Sequence, residues 1–106
     1  MPLTPELQFQ KALLLLDRGE GDCGEALLRE VASTALLAGD IVLATQARCC
    51  LGELLIELDR PDEAKPLLES VVTAQIPSDM DDLLDMEVAR ASELLEILAR
   101  NPALPD

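Results

Sequence analysis

Two stretches of the chain, about 40 residues apart, match each other. Residues 51–60 (LGELLIELDR) and 91–100 (ASELLEILAR) are identical at five of ten positions. Residues 9–18 match residues 51–60 at an offset of 42, because several leucines and the closing Asp-Arg pair coincide. A repeat with a period of about 20 to 50 residues is typical of stacked structural units. The repeat therefore predicts similar units packed side by side, and the 106 residues suit a single domain over 1–106.

The side chains available for a core indicate that each unit is helical. Hydrophobic residues make up 49% of the chain, with 23 leucines and a single aromatic residue, Phe9. Leucine and alanine favour helices, whereas strands favour β-branched and aromatic residues. The chain is therefore predicted to be all-α.

Glycine, proline and aspartate clusters divide the chain into five helical segments. Thr4 and Asp40 are expected to cap the first and third segments. Pro66 predicts a local distortion or a late start of the fourth segment, because an interior proline loses a backbone hydrogen bond. The predicted segments are 5–18, 22–38, 41–58, 61–74 and 80–100.

The intervening segments also match each other, since the pair Glu25-Ala26 recurs as Glu63-Ala64 at an offset of 38. The chain thus reads as one hairpin over 5–38, a second over 41–74 and a capping helix over 80–100. Gly52 is expected where the two helices of the second hairpin approach closely.

This pattern resembles the tetratricopeptide repeat family. The family motif runs Trp, two residues, Leu-Gly, two residues, Tyr, then a turn, Ala, three residues, Phe and a closing Pro. The matching positions here are Arg48, Leu51, Gly52, Leu55, Ala64, Leu68 and Pro77. Leu-Gly and Ala carry the resemblance, all three aromatic positions are replaced, and the proline stands one place late. The chain is most similar to the longer repeats of kinesin light chains and of sensor regions in large bacterial transcription regulators.

The resemblance implies a right-handed superhelical stack whose alternate helices line a concave, partner-binding groove. An unrelated four- or five-helix bundle is the alternative, because leucine and alanine at helical spacing primarily mean core. Carrying the groove-facing positions over by the internal alignment gives Leu7, Lys11, Leu14, Leu15, Cys49, Glu53, Ile56, Glu57, Met86, Glu93, Glu96 and Ile97. Such an apolar and acidic groove suits an amphipathic helix or extended peptide with basic flanks. The apolar members could instead pack between hairpins.

The net charge of the chain limits the kinds of partner that it can bind. Eight Lys+Arg against 21 Asp+Glu give a net charge of -13. Nucleic acid and anionic membranes are therefore poor partners, and the charge serves either solubility or attraction to a basic protein. No apolar run approaches a membrane span, and the N-terminus lacks a signal-peptide pattern. A cytoplasmic location with reduced thiols is expected.

The residue types for catalysis are scarce. The chain contains no His, Tyr or Trp, so the commonest general base and metal ligand is missing. Cys23, Cys49 and Cys50 lack metal-ligand spacing, and at least one of the adjacent pair is expected to be a buried small hydrophobe. The acids of residues 79–87 suit a helix N-terminus and fail the calcium-loop pattern. No enzyme activity, metal or cofactor is predicted.

The sequence therefore predicts a non-catalytic adaptor that binds a protein or peptide. One alternative is a dedicated chaperone or neutraliser that masks a basic partner with the whole acidic surface. Another is a homo-oligomeric helical protein. The four consecutive leucines at 13–16 cover every side of a helical turn, so a homodimer or a partner contact through the first two helices is expected.

Overall fold

The computed structural model describes residues 4–74 and 81–100. Within these ranges the chain forms α-helices and no strand, which confirms the all-α prediction. The five helices are α1 (Pro5–Asp17), α2 (Gly21–Leu37), α3 (Ile41–Glu57), α4 (Pro61–Val72) and α5 (Asp81–Arg100). The predicted start of the last helix at Met80 and the motif residue Pro77 lie outside the described residues.

The helix starts follow local sequence signals. The Thr4 hydroxyl accepts a hydrogen bond from the Leu7 N–H at 3.3 Å, and the Asp40 carboxylate accepts one from the Leu43 N–H at 3.1 Å, so both predicted caps are confirmed. α4 begins at Pro61, as the predicted segment does, and includes Pro66, so of the two alternatives predicted for this proline the late helix start is wrong. Pro66 is exposed, and water can satisfy the carbonyl that its ring leaves without a donor.

Three helix-ending turns share one geometry and stand 20 residues apart. The residue in the left-handed conformation is Gly19 (φ +80°), Gly39 (φ +79°) and Asp59 (φ +62°). In each turn the next N–H donates to a carbonyl five residues back at 2.8 Å, as in the Schellman motif. Since the turns after α1 and α3 differ by 40 residues, the offset of 42 predicted between these helices is wrong.

The buried positions follow the same 40-residue period. In α2 they are Gly24, Leu28 and Val31, and in α4 they are Ala64, Leu68 and Val71. The predicted offset of 38, taken from the shared Glu-Ala pair, is therefore also wrong: Ala26 is exposed, whereas Ala64 is fully buried. Burial, rather than residue identity, therefore gives the register between α2 and α4.

Each helix packs against its neighbour in sequence, and α3 also packs against α5 and, over a smaller area, against α1. The molecule is 20 Å thick along its shortest axis, about two helix diameters. Gly52 of α3 faces Leu68 of α4, which confirms the predicted close approach. Among the helices of the described ranges, none is both long and apolar enough to cross a membrane.

Candidate functional site

The predicted partner-binding residues of α1 form one exposed stripe. Leu7, Lys11 and Leu14 are spaced by four and three residues, which places them on one helix face, and all three are exposed. Leu15 is half-buried beside them. Leu7 is 49% exposed and Leu14 is 59% exposed. α1 therefore presents an apolar surface interrupted by one cation.

This stripe is not the repeat equivalent of the candidates in α3. At the observed offset of 40, Glu53, Ile56 and Glu57 correspond to Leu13, Leu16 and Asp17. The α1 candidates had been placed with an offset of 42, and two residues amount to about 200° around a helix. At the offset of 40, the α1 stripe and the α3 candidates therefore correspond to different helix faces.

One α3 candidate is buried. Cys49 is 5% exposed, and its Sγ donates to the backbone carbonyl of Glu87 in α5 at 3.6 Å. Burial raises the pKa of Cys49 to about 11, and the carboxylates of Glu53 and Glu87 act in the same direction. Burial likewise raises the pKa of Cys50 to about 11. Cys49 therefore contributes to the α3–α5 contact, as expected of a small hydrophobe, and offers a partner little surface.

Arg90, which the sequence analysis did not select, brings two acidic candidates together. Its guanidinium lies 2.9 Å from Glu53 of α3 and 2.6 Å from Glu93 of α5. These carboxylates raise the pKa of Arg90, with the hydrogen bond to Glu53 as the largest cause. The acidic surface between α3 and α5 is thus partly neutralised by a cation of its own.

The remaining candidates lie on the same two helices, α3 and α5. Ile56 is partly buried and packs against the core, whereas Glu57 is exposed. Met86 is 82% exposed, Ile97 is exposed as well, and Glu96 lies 3.7 Å from Arg100. We call Glu53, Glu57, Met86, Glu93, Glu96 and Ile97 the acidic face. It retains the mixed acidic and apolar character that the sequence predicted.

A second ionic cluster, also unselected, joins α2 to the start of α4. Arg60 binds both carboxylate oxygens of Glu25, at 2.7 and 3.0 Å, and lies 2.6 Å from Glu63. Arg29 reaches Glu25 at 3.0 Å and Glu63 at 3.3 Å. The hydrogen bond from Arg60 is the main cause that lowers the pKa of Glu25. The only sequence signal was the shared Glu-Ala pair, which supplies both carboxylates.

A groove runs between α2 and α4, with α3 as its floor. Two adjoining cavities of about 360 and 610 Å³ share Arg29, Arg48 and Leu67, so they form one continuous depression. We call it the α2/α4 groove. The resemblance directed attention to α1, α3 and α5, and this groove was missed. Its one signal in the sequence is Arg48, a charge within the apolar α3 helix.

Metal sites and related proteins are two further sources of evidence about function. Within residues 4–74 and 81–100, no three His, Cys, Asp or Glu side chains are grouped so that they could hold a metal ion. Comparisons of the chain with protein-family models, curated proteins and solved structures give no match. The surfaces described above are therefore the basis for proposing a function.

Proposed function

We propose that this chain is a non-catalytic helical-repeat module that binds a protein or peptide, similar in architecture to tetratricopeptide repeats. The observation that carries the proposal is the shared period: identical turns recur every 20 residues, and buried positions recur every 40. Contacts of α3 with both α1 and α5 support a layer of alternate helices. Stacked hairpins of this kind expose extended surfaces that bind partners.

The acidic face is the proposed binding surface for a basic, amphipathic segment. Its four glutamates would orient Lys or Arg side chains of the partner, while Met86 and Ile97 would contact apolar anchors. Met86 suits such a role, because its unbranched thioether adapts to different apolar shapes. The net charge of -13 would speed the encounter with a basic partner.

Fluorescence anisotropy with a labelled amphipathic peptide tests this surface. The probe carries a Leu-rich face with Lys/Arg flanks, and its control carries Glu flanks. Glu57→Lys should weaken binding of the basic peptide roughly fivefold or more, because it reverses a charge within the face. Glu69→Lys is the matched control, since Glu69 is also exposed but lies on α4. Equal losses for the two variants, or equal binding of the two peptides, would refute the proposal.

Loss of an apolar side chain distinguishes binding at the acidic face from masking of a basic partner by charge alone. Met86→Ser should weaken binding of the basic peptide, whereas Leu37→Ser should not, although Leu37 is 89% exposed. A neutraliser that uses the whole acidic surface would respond to neither variant. Its affinity would instead fall steeply with salt, as the Debye length shrinks from about 10 Å to about 3 Å.

The α1 stripe favours self-association as a second candidate function. Leu7 and Leu14 flank Lys11 on one exposed face, an arrangement that a second copy could cover. Static light scattering at moderate salt would then give twice the chain mass of 11.5 kDa, and Leu14→Gln would restore the monomer. A mass of one chain at all concentrations would eliminate the dimer and leave the acidic face as the proposed interface.

A further inference from the structure

The α2/α4 groove contains an arginine without a partner. Arg48 is half-buried on the floor of the groove, and its side chain makes no hydrogen bond or ion pair with the described residues. Acids outnumber bases by 21 to 8 in this chain, so carboxylates are plentiful. A guanidinium that is partly removed from water gains from an anionic partner. The groove therefore presents an unused site for an anion.

The other arginines show how unusual this is. Arg29, Arg60, Arg90 and Arg100 each lie within 4 Å of at least one glutamate. Arg18 has no such neighbour among the described residues, but it is exposed at the C-cap of α1, where water solvates it. Among the arginines of residues 4–74 and 81–100, Arg48 alone combines partial burial with the lack of a carboxylate within 4 Å, although Asp62 and Glu63 line the same groove.

The repeat shows that the fold does not require an arginine at this position. At the period of 40, Arg48 corresponds to Gln8 in α1 and Val88 in α5, and all three are half-buried. An uncharged amide and an aliphatic side chain thus fill the equivalent environments. Residues that depart from a structural pattern without a compensating contact are expected at functional sites.

The shape and lining of the groove restrict its occupant. Leu36, 51% exposed, and Leu67 provide apolar walls beside Arg48. From Arg29 to Leu36 the α2 wall spans seven residues, about 10 Å of helix, which matches about three residues of extended chain. The second cavity continues past Arg48 along α4, where Asp62 and Glu63 also line it. A bound segment would therefore place its carboxylate at Arg48 and an uncharged residue beside these two acids.

We propose that the α2/α4 groove binds a short extended segment of a partner protein that carries an Asp or Glu side chain next to an aliphatic one. The carboxylate pairs with Arg48, and the aliphatic side chain packs between Leu36 and Leu67. This site goes beyond the proposed function, because it differs from the acidic face in position and in the charge of its partner. Glu57 of the acidic face lies nine residues after Arg48, half a turn around α3, and would bind a basic segment rather than an acidic one. A chain with both sites would join a basic segment to an acidic one.

A pair of peptides tests the groove without altering the protein. The probe is a fluorescein-labelled peptide with Leu-Glu-Leu at its centre and Gly/Ser flanks, and the control has Leu-Gln-Leu. We expect saturable binding of the Glu peptide and about tenfold or weaker binding of the Gln peptide, because a charge-assisted bidentate contact is lost. The Nε–H resonance of Arg48 should shift in the nuclear magnetic resonance spectrum on binding. Equal affinities, or no saturable binding, would overturn the proposal.

Two matched pairs of variants locate the contact. Arg48→Gln should weaken binding of the Glu peptide about tenfold, whereas Arg18→Gln removes the same charge outside the groove and should change it little. Leu36→Ser should weaken it and Leu37→Ser should not, since only Leu36 lines the groove. Equal effects within each pair would overturn the site. If circular dichroism shows that Arg48→Gln does not fold, the Leu36 and Leu37 variants and the two peptides still test the site.

The same measurements separate this site from the acidic face. Glu57→Lys should not reduce binding of the Leu-Glu-Leu peptide, and Arg48→Gln should not reduce binding of the basic amphipathic peptide. Each peptide is therefore the control for the other surface. Loss of both activities in either single variant would contradict two independent sites.

Discussion

The close approach of α3 and α4 at Gly52 can be tested by adding a single methyl group. A Cβ at this position would lie 2.7 Å from Leu68 Cδ2 and 2.9 Å from Leu68 Cγ. Both distances are below carbon–carbon contact, so Leu68 must move. Leu68 is fully buried, and close-packed interiors resist such displacement.

The expected effect of Gly52→Ala is the difference between two opposing contributions. Alanine favours a helix interior over glycine by about 1 kcal/mol. Overpacking a buried contact costs about 1 to 3 kcal/mol. The net destabilisation is therefore about 0 to 2 kcal/mol. Gly52→Leu adds a larger side chain to the same contact and should cost more than Gly52→Ala.

Gly24 provides the matched control. Its added Cβ would lie even closer to a leucine, 2.5 Å from Leu16 Cδ2, so distance alone predicts the larger loss there. Leu16, however, is only partly buried, and its side chain can turn towards solvent. We therefore expect Gly24→Ala to be the milder substitution of the two.

Urea unfolding at fixed ionic strength, followed by far-UV circular dichroism, measures both variants. The chain has no Trp or Tyr, so fluorescence would require a label. If Gly52→Ala stabilised the protein by about 1 kcal/mol, as expected for an unconstrained helix glycine, the close contact with Leu68 would be refuted. A larger loss for Gly24→Ala would show that contact distance outweighs the mobility of the neighbour.

Further predictions concern a turn, a buried hydroxyl, the thiols and one carboxylate. Asp59→Gly should raise urea stability by about 1 kcal/mol, because Asp59 holds φ +62°. Thr45→Val should raise it by about 1 kcal/mol in the same assay, since the buried Thr45 hydroxyl has no hydrogen-bond partner among the described residues. Iodoacetamide at mildly basic pH should modify exposed Cys23 rapidly and the two α3 cysteines slowly, as mass spectrometry would count. Arg60 lowers the pKa of Glu25, so this carboxylate stabilises the fold above its unfolded pKa, and the contribution disappears as pH falls through its lower folded pKa. Glu25→Gln should therefore destabilise at neutral pH and flatten the acid decline of the urea midpoint; an unchanged pH profile would contradict this.

The helices and their caps were predictable because their signals are local. Thr4 and Asp40 cap the helices that directly follow them, and each cap needs only a neighbouring N–H. Gly52 was predictable from the Leu-Gly pair of the resembled repeat motif, in which a small residue lets two helices pack closely. These features depend on a few adjacent residues and hardly at all on the rest of the fold.

The register between repeats was harder to predict because identity and structure disagree. Asp17-Arg18 and Asp59-Arg60 are identical pairs, and aligning them produced the offset of 42. In the structure Asp59 is the left-handed turn residue, and its counterpart is Gly19. Because this turn accepts either glycine or aspartate, an alignment by residue identity does not match Gly19 with Asp59. The four adjacent leucines of α1 match the leucines of α3 at more than one offset, so they do not correct the alignment.

The candidate surfaces depended on contacts between distant residues, which no local pattern encodes. Arg90 of α5 reaches Glu53 across 37 positions, and Arg60 reaches Glu25 across 35. The sequence indicated that acids line the predicted groove but not which of them pair with cations. For Cys49 the sequence led to two expectations, a groove position implied by the resemblance and burial of at least one of the adjacent cysteines, and the structure buries Cys49.

The ionic cluster and the α2/α4 groove are coupled by the residues they share. Arg29 and Glu63 line the groove and also belong to the cluster in which Arg60 binds both oxygens of Glu25. Isolated surface ion pairs contribute little, but a bidentate arginine within a network of four charges fixes geometry more strongly. α2 and α4 are thus joined at this end of the groove by guanidinium–carboxylate contacts. Two contacts, Arg60–Glu25 and Arg29–Glu63, therefore link α2 to the start of α4, and either can hold this end of the groove when the other is lost.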